Sequence, residues 1–339
     1  MEVTGRVSKI IRLRSADQSE VGNARRQALA LASSLDFTQS RCGELAIVVT
    51  EAARNLATHG GGGELILTPW KVGELSGVDM LALDRGVGIA NVALALQDGY
   101  STAGTPGNGL GAIERLAQHM EVYSPAGKGT AVLARLLASE QMNANQLPRF
   151  GSVSVPFGEE TMSGDAWGVS YFKDRTVYLM ADGLGHGPTA SEAGQQAMRT
   201  FHENAHLQPH RLLLTLHAAL QKTRGAAVGI AEISHEHNSL TYIGAGNIAS
   251  SLCCDGRMRS MVSMNGTAGH NMGTVQEFTY PLEGDRLLLM HSDGLQTRWQ
   301  LADYPGLAGR HPALIAGVLY RDFSRRRDDA TVLVVGVGK

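Results

Sequence analysis

Apolar residues at helical spacing alternate along this chain with apolar runs of strand length. Val21, Ala24, Ala28, Leu31 and Leu35 share one face and predict a helix in SEVGNARRQALALASSL. Leu45, Val48, Val49, Ala52 and Leu56 predict a second in CGELAIVVTEAARNLATHGGGG, stopped by its glycine run. SKIIRLR, GELILTPW, VDMLALD and GTAVLARLL predict strands, and GNGLGAIERLAQHM a loop leading into a helix. Further on, WGVSYFKDRTVYLMAD predicts a hairpin, and TASEAGQQAMRTFHENA and HRLLLTLHAALQKT predict helices. AAVGIAEISHEHNSLTYIGAGNIASSLCC predicts strands with polar turns, GDRLLLMHSDG a strand ending in Asp, HPALIAGVLYRDFSRR a helix and DDATVLVVGVG a closing strand. The polar stretch ASEQMNANQLPRF separates two patterns that each look complete. It predicts a first domain over 1–138, a linker over 139–149 and a second domain over 150–339.

Composition narrows the functional classes. At 339 residues the chain is long enough for two cores. A formal net charge of -2 gives no electrostatic case for nucleic acid or an anionic membrane surface. The three cysteines form no CxxC pair, and Cys253 and Cys254 are adjacent, a poor geometry for a disulfide, which points to a reducing compartment. The first residues, MEVTGRVSKIIRLRS, are interrupted by charge, and no apolar run approaches the ~20 residues of a membrane helix. A cytoplasmic protein is expected.

Candidate chemistry in the second half is carried by carboxylates at strand ends. Asp182 follows VYLMA and precedes Gly183, Gly185 and Gly187; Asp293 follows RLLLMHS; Asp328 and Asp329 precede ATVLVVGV; Asp165 lies in SGDAW. A single Asp-Gly after a strand is usually a turn. Several such carboxylates, with no thiolate beside them, are hard oxygen ligands suited to Mg²⁺ or Mn²⁺. Gly183 has no Cβ to keep its carbonyl from a metal. The motifs SGDAW, ADGLGHG, IGAGN, HSDGL and DDATVLVV, in that order, resemble the bacterial branch of the metal-dependent type 2C serine/threonine phosphatases, of the stage II sporulation and RsbX types. The resemblance implies two Mn²⁺ or Mg²⁺ ions, with Asp182 bridging them as the catalytic carboxylate. Asp293 and Asp328 complete one side, Asp328 being favoured over Asp329, and Asp165 contacts metal-bound water. His186 either protonates the leaving seryl oxygen or packs in its loop.

The first half has no GxxxxGK[ST] phosphate loop. Glu51 and Asn55 lie four apart on one helix face, Asp84 ends a strand before Gly86 and Gly88, and Gly107, Gly109, Leu110 and Gly111 precede a helix. In this order they resemble the GHKL-type ATP-binding fold, and TEAARNLATHGGGG with the later glycine loop resembles the RsbT-type serine kinases. That resemblance implies Mg-ATP, with Asn55 on the Mg²⁺, Asp84 on the adenine amino group, the glycines over the phosphates, Thr130 near the nucleotide and Glu51 as general base. Tyr123 and Ser124 are expected to be core or turn. The implied fold class is α+β, a GHKL-type α/β sandwich followed by a type 2C phosphatase β-sandwich flanked by helices. The implied function is a bifunctional partner-switching regulator acting on a STAS-domain protein, in a stressosome-like module. Two alternatives stay open: a phosphatase whose first domain only binds nucleotide or partner, and an anti-sigma factor fused to a phosphatase.

Overall fold

β1 (Glu2–Thr4) and β2 (Lys9–Leu13) are neighbours in sequence, yet the computed structural model sends them to different units. One unit is Ser8–Pro148; the other joins Met1–Val7 to Arg149–Lys339. The structure describes residues 1–14, 18–97, 109–139 and 148–337. Among them no helix is long and apolar enough to cross a membrane.

In the Ser8–Pro148 unit, β2 is followed by α1 (Gln18–Ser33), α2 (Gln39–Thr58), β3 (Gly63–Val72), β4 (Leu75–Leu83), the single turn α3 (Val92–Ala95), α4 (Gly109–Leu116), β5 (His119–Tyr123) and β6 (Ala131–Leu137). The strands form an antiparallel sheet in the order β2-β3-β4-β6-β5. The apolar stripe of α2, from Leu45 to Leu56, is fully buried with Leu65, Leu67, Met80, Ala82 and Leu136 of the sheet. The Thr38 hydroxyl caps α2 by accepting from the Arg41 backbone N–H. Residues 107 and 108 lie outside the described residues. The expected helix ends at Leu116, and His119 and Met120, taken as its last turn, instead pair with Arg135 and Ala134 in β5. Inside the sheet, Arg135 binds both oxygens of Asp79 at 2.7 Å, and the Trp70 indole donates to Asp79 at 2.9 Å. This pair is buried and bidentate, so truncating either partner would strand a charge.

The other unit contains β1, β7 (Phe150–Val155), β8 (Asp165–Tyr171), β9 (Arg175–Gly183), α5 (Pro188–Asn204), α6 (Pro209–Leu220), β10 (Ala226–Ser234), β11 (Ser239–Ala245), β12 (Ala249–Cys254), β13 (Arg257–Ser260), β14 (Phe278–Pro281), β15 (Arg286–His291), α7 (Pro312–Phe323) and β16 (Ala330–Val337). Two antiparallel sheets result, in the orders β1-β8-β9-β10-β11-β14 and β13-β12-β15-β16-β7. They meet through the Phe150 and Trp167 rings, 5.6 Å apart, and through Gly229, where an added Cβ would lie 3.3 Å from the Met290 methyl. α5 and α6 pack on the first sheet and α7 on the second.

The expected boundary is corrected here. The first seven residues belong with the second domain, not with the first as the expected 1–138 boundary has it. β1 completes the edge of β8, with Val3 opposite Val169 and 1% exposed. The Thr4 hydroxyl bonds to His202 Nε2 at 2.7 Å. Gly5 fits where a Cβ would lie 2.2 Å from the Trp167 indole nitrogen. Of the expected linker, 140–147 lie outside the described residues.

Candidate functional site

Each unit gathers its own set of polar groups. In the first, Glu51 and Asn55 project from consecutive turns of α2. Gly109, which opens α4, lies against both: a Cβ there would stand 3.2 Å from Asn55 Oδ1 and 3.3 Å from Glu51 Oε2. A side chain at Gly109 would fill the space over these two residues. Leu110 and Gly111 follow in the first turn of α4, whose early N–H groups have no helical partner. Gly107 lies outside the described residues. Glu51 Oε1 accepts from Arg54 Nη1 at 2.9 Å.

Asp84, just past β4, stands at the same end of α2. A Cβ on Gly60, beyond the helix C-terminus, would be 2.8 Å from Asp84 Cβ. Asp84 Oδ1 accepts from the backbone N–H groups of Gly86 (2.8 Å) and Thr130 (3.0 Å). Gly129, at φ 74°, passes so close that a Cβ would meet Asp84 O at 2.2 Å. Gly88, at φ 82°, turns the chain beside Ser124. Ser124 Oγ bonds Thr130 Oγ1 at 2.9 Å and accepts from Ile89 N at 2.6 Å. Ser124 thus closes the loop that holds Asp84 and Thr130, and Tyr123 is buried in β5. Nothing in the sequence singles out a lone serine after so short a strand.

In the second unit, Asp165 opens β8 directly opposite Asp182 near the end of β9. The Ser292 hydroxyl donates to Asp165 Oδ2 at 2.6 Å and accepts from Thr331 N at 3.0 Å. Asp293 follows Ser292, and its Oδ2 accepts from Asn247 Nδ2 at 2.8 Å. Asp329 is occupied by backbone: its two oxygens accept from Phe157 N (2.7 Å) and Gly164 N (2.6 Å). Among the described residues Asp328 accepts only the Asp329 N–H, at 2.9 Å, and it is half-buried. The Ser292 clasp and the Asn247 contact were not foreseen, although both residues sit inside quoted motifs.

The carboxylates feel one another. Burial pushes Asp182 up to about 9, helped by Asp165, Asp293, Asp328 and Asp329. Burial, then Asp329 and Asp293, pushes Asp165 to about 7 against the opposing Ser292 hydrogen bond. Asp293 is raised by burial and by Asp328, with Arg325 acting the other way. Among the described residues, Asp165 Oδ1 is buried without a hydrogen-bond partner. Mutual repulsion plus an orphaned oxygen is the electrostatic signature of a place for cations. Among the described residues no three His, Cys, Asp or Glu side chains close into a ligand set by themselves. Mg²⁺ is held by one or two carboxylates with several retained waters, so open carboxylates fit it.

Gly183 ends β9, and a Cβ there would lie 2.3 Å from Ala190 O in the first turn of α5. Gly185 and Gly187 have φ of 83° and 78°, so the alternating glycines turn the chain into that helix. His186 bonds Glu160 Oε1 at 2.6 Å and lies tilted 5.0 Å from the Phe157 ring, held within its loop while about half exposed.

Residues 14–136 match the family described as histidine kinase-like ATPase domain, and residues 173–338 match stage II sporulation protein E. The serine/threonine-protein kinase RsbT of Bacillus subtilis (strain 168) is 30% identical over 111 residues, 33% of this chain and 84% of RsbT. A chain solved in work on the bacterial stressosome, described as a modular system adapted to control secondary messenger signaling, superposes with TM-score 0.51. It is 23% identical, covering 55% of this chain and 97% of that one. RsbX in complex with magnesium is 20% identical, with TM-score 0.48, over 55% of this chain and 94% of its own.

Proposed function

Since the chain belongs to the RsbT-type histidine kinase-like ATPases in its first unit and carries a SpoIIE phosphatase domain in its second, we propose that it is a cytoplasmic bifunctional regulator. It phosphorylates serine or threonine on a STAS-domain partner and removes phosphate from the same class of protein. The observation that carries the phosphatase half is Asp182, half-buried among four other carboxylates at strand ends.

Asp182, Asp293 and Asp328 would hold two Mg²⁺ or Mn²⁺ ions, with the Gly183 carbonyl beside them and Asp165 reaching a metal-held water. When bound, such ions supply a deprotonated water and a clamp on the phosphoryl oxygens. Ser292 fixes Asp165, and Asp329 fixes Phe157 and Gly164, so the carboxylates are positioned before any substrate arrives. The backbone ties of Asp329 support Asp328 as the ligand of that pair.

In the first unit, Asn55 would hold the Mg²⁺ of ATP and Asp84 would accept from the adenine amino group. Gly86, Gly88, Gly109, Leu110, Gly111 and Thr130 would line the nucleotide. Glu51 would take the proton of the substrate hydroxyl while that hydroxyl's oxygen bonds the γ-phosphorus and ADP departs. A binding-only role for this unit is the second reading: the exposed Arg54 guanidinium bonds Glu51 Oε1, while Oε2 faces Gly109. Transfer of labelled γ-phosphate to a STAS protein, with Glu51→Gln as control, decides between the two. Label in wild type but not in the variant supports the kinase, and no label in either supports binding alone.

A further inference from the structure

A cavity of about 380 Å³ opens beside Asp165. One wall is the segment Thr4–Val7 that follows β1; another is the turn before β8; the third is the α5 face bearing Gln195 and Arg199. Its size suits a ligand or a few side chains. Arg6 and Arg199 both line it, both are exposed, and neither is matched by a carboxylate among the described residues; Arg199 reaches only Gln196, at 2.8 Å. Met162 adds an exposed apolar wall.

One further group in the lining has unmet hydrogen-bond capacity. Trp167 is 3% exposed, yet its Nε1 has no partner among the described residues. A buried donor left in this way is rare in folded proteins and is free for an acceptor such as a carboxylate. Two unmatched guanidiniums beside apolar surface fit a polypeptide better than a bare anion, which would leave the apolar wall wet.

We propose that this cavity is the subsite for an acidic stretch of the protein substrate flanking its phosphorylated residue. The inference rests on the phosphatase role of the second unit. Arg6 and Arg199 select the substrate, and Asp165, shared by the cavity and the carboxylate cluster, sets the distance between flank and phosphate.

The test uses two phosphoserine peptides that differ only in carrying three aspartates or three lysines beside the phosphoserine. With Mn²⁺ and the full chain, kcat/KM is expected to favour the acidic peptide. In the Arg6→Glu, Arg199→Glu double variant the ratio of the two kcat/KM values should fall by roughly tenfold, through KM. The Arg6→Lys, Arg199→Lys variant should retain the preference. A ratio that stays the same in the glutamate variant overturns the proposal. Titration of the unphosphorylated acidic peptide, followed by tryptophan fluorescence, reads the cavity without hydrolysis and should fail in the glutamate variant. If inorganic phosphate displaces that peptide at equal concentration, the cavity is a small-anion site and the proposal falls. If wild type hydrolyses neither phosphopeptide nor p-nitrophenyl phosphate, the phosphatase role fails, and the titration alone decides the cavity.

Discussion

Asp182 sits beside four other carboxylates, and its titration is therefore measurable. Its pKa of about 9 and that of Asp165, about 7, both stand above the 3.8 of an exposed aspartate. The metal-free folded state thus holds extra protons above pH 3.8, so this contribution to stability is present at low pH and is lost as pH rises through those values. Divalent cations compete with the same protons. The rise in Tm on adding Mn²⁺ should therefore be larger at about pH 8.5 than at about pH 5.5, and equal gains would contradict the cluster as cation site. Asp182→Asn should lower Mn²⁺-dependent hydrolysis of phosphoserine by on the order of 100-fold or more while raising the Tm of the metal-free protein. In the other unit, wild type should gain about 2.7 kcal/mol from ATP at a hundred times Kd, and Asn55→Ala should lose that gain. At this scale the acidic residues were legible, because a sheet ends its strands in register and motif spacing reports it. Which of Asp328 and Asp329 is tied to the backbone is not legible in the sequence. It depends on the approach of Phe157 and Gly164, over 160 residues away.

Among the elements, the long ones were read well and the short ones poorly. The stripes of α1 and α2 and the apolar runs of β3, β4, β6, β9 and β16 each supply their own pattern. β1 has three residues and β5 five, too few for a period of two to declare itself; β1 exists because the distant β8 offers an edge, and β5 because the chain turns straight back into β6. The approach of α5 to β9 is another long-range fact, since it requires bare backbone at Gly183, where a Cβ would lie 2.3 Å from Ala190 O. Gly183→Ala is expected to cost about 1–3 kcal/mol in denaturant unfolding. It should also displace the neighbouring Asp182 and slow hydrolysis. Unchanged stability and rate would show that α5 yields without moving the carboxylates.

The whole molecule joins a nucleotide-type unit to a phosphatase unit in one chain, and each has its own buried core. If both act on one partner, the result is ATP turnover with no net phosphorylation. Steady-state ADP production in the presence of the partner should then fall in Asp182→Asn, because phosphorylated partner is no longer recycled. Production that persists would mean that the two units have different substrates. A last consequence lies in the order of the polypeptide. The phosphatase sheet takes its outermost strand from the very start of the chain, ahead of the entire ATP-type unit. A fragment starting at Arg149 is therefore an amputated phosphatase, with a raw edge at β8 and no lid over Trp167. Conversely, a protease site engineered between 139 and 148 should leave both pieces travelling together on a native column and parting only in denaturant. The leading peptide acts as a tether that a single cut does not release.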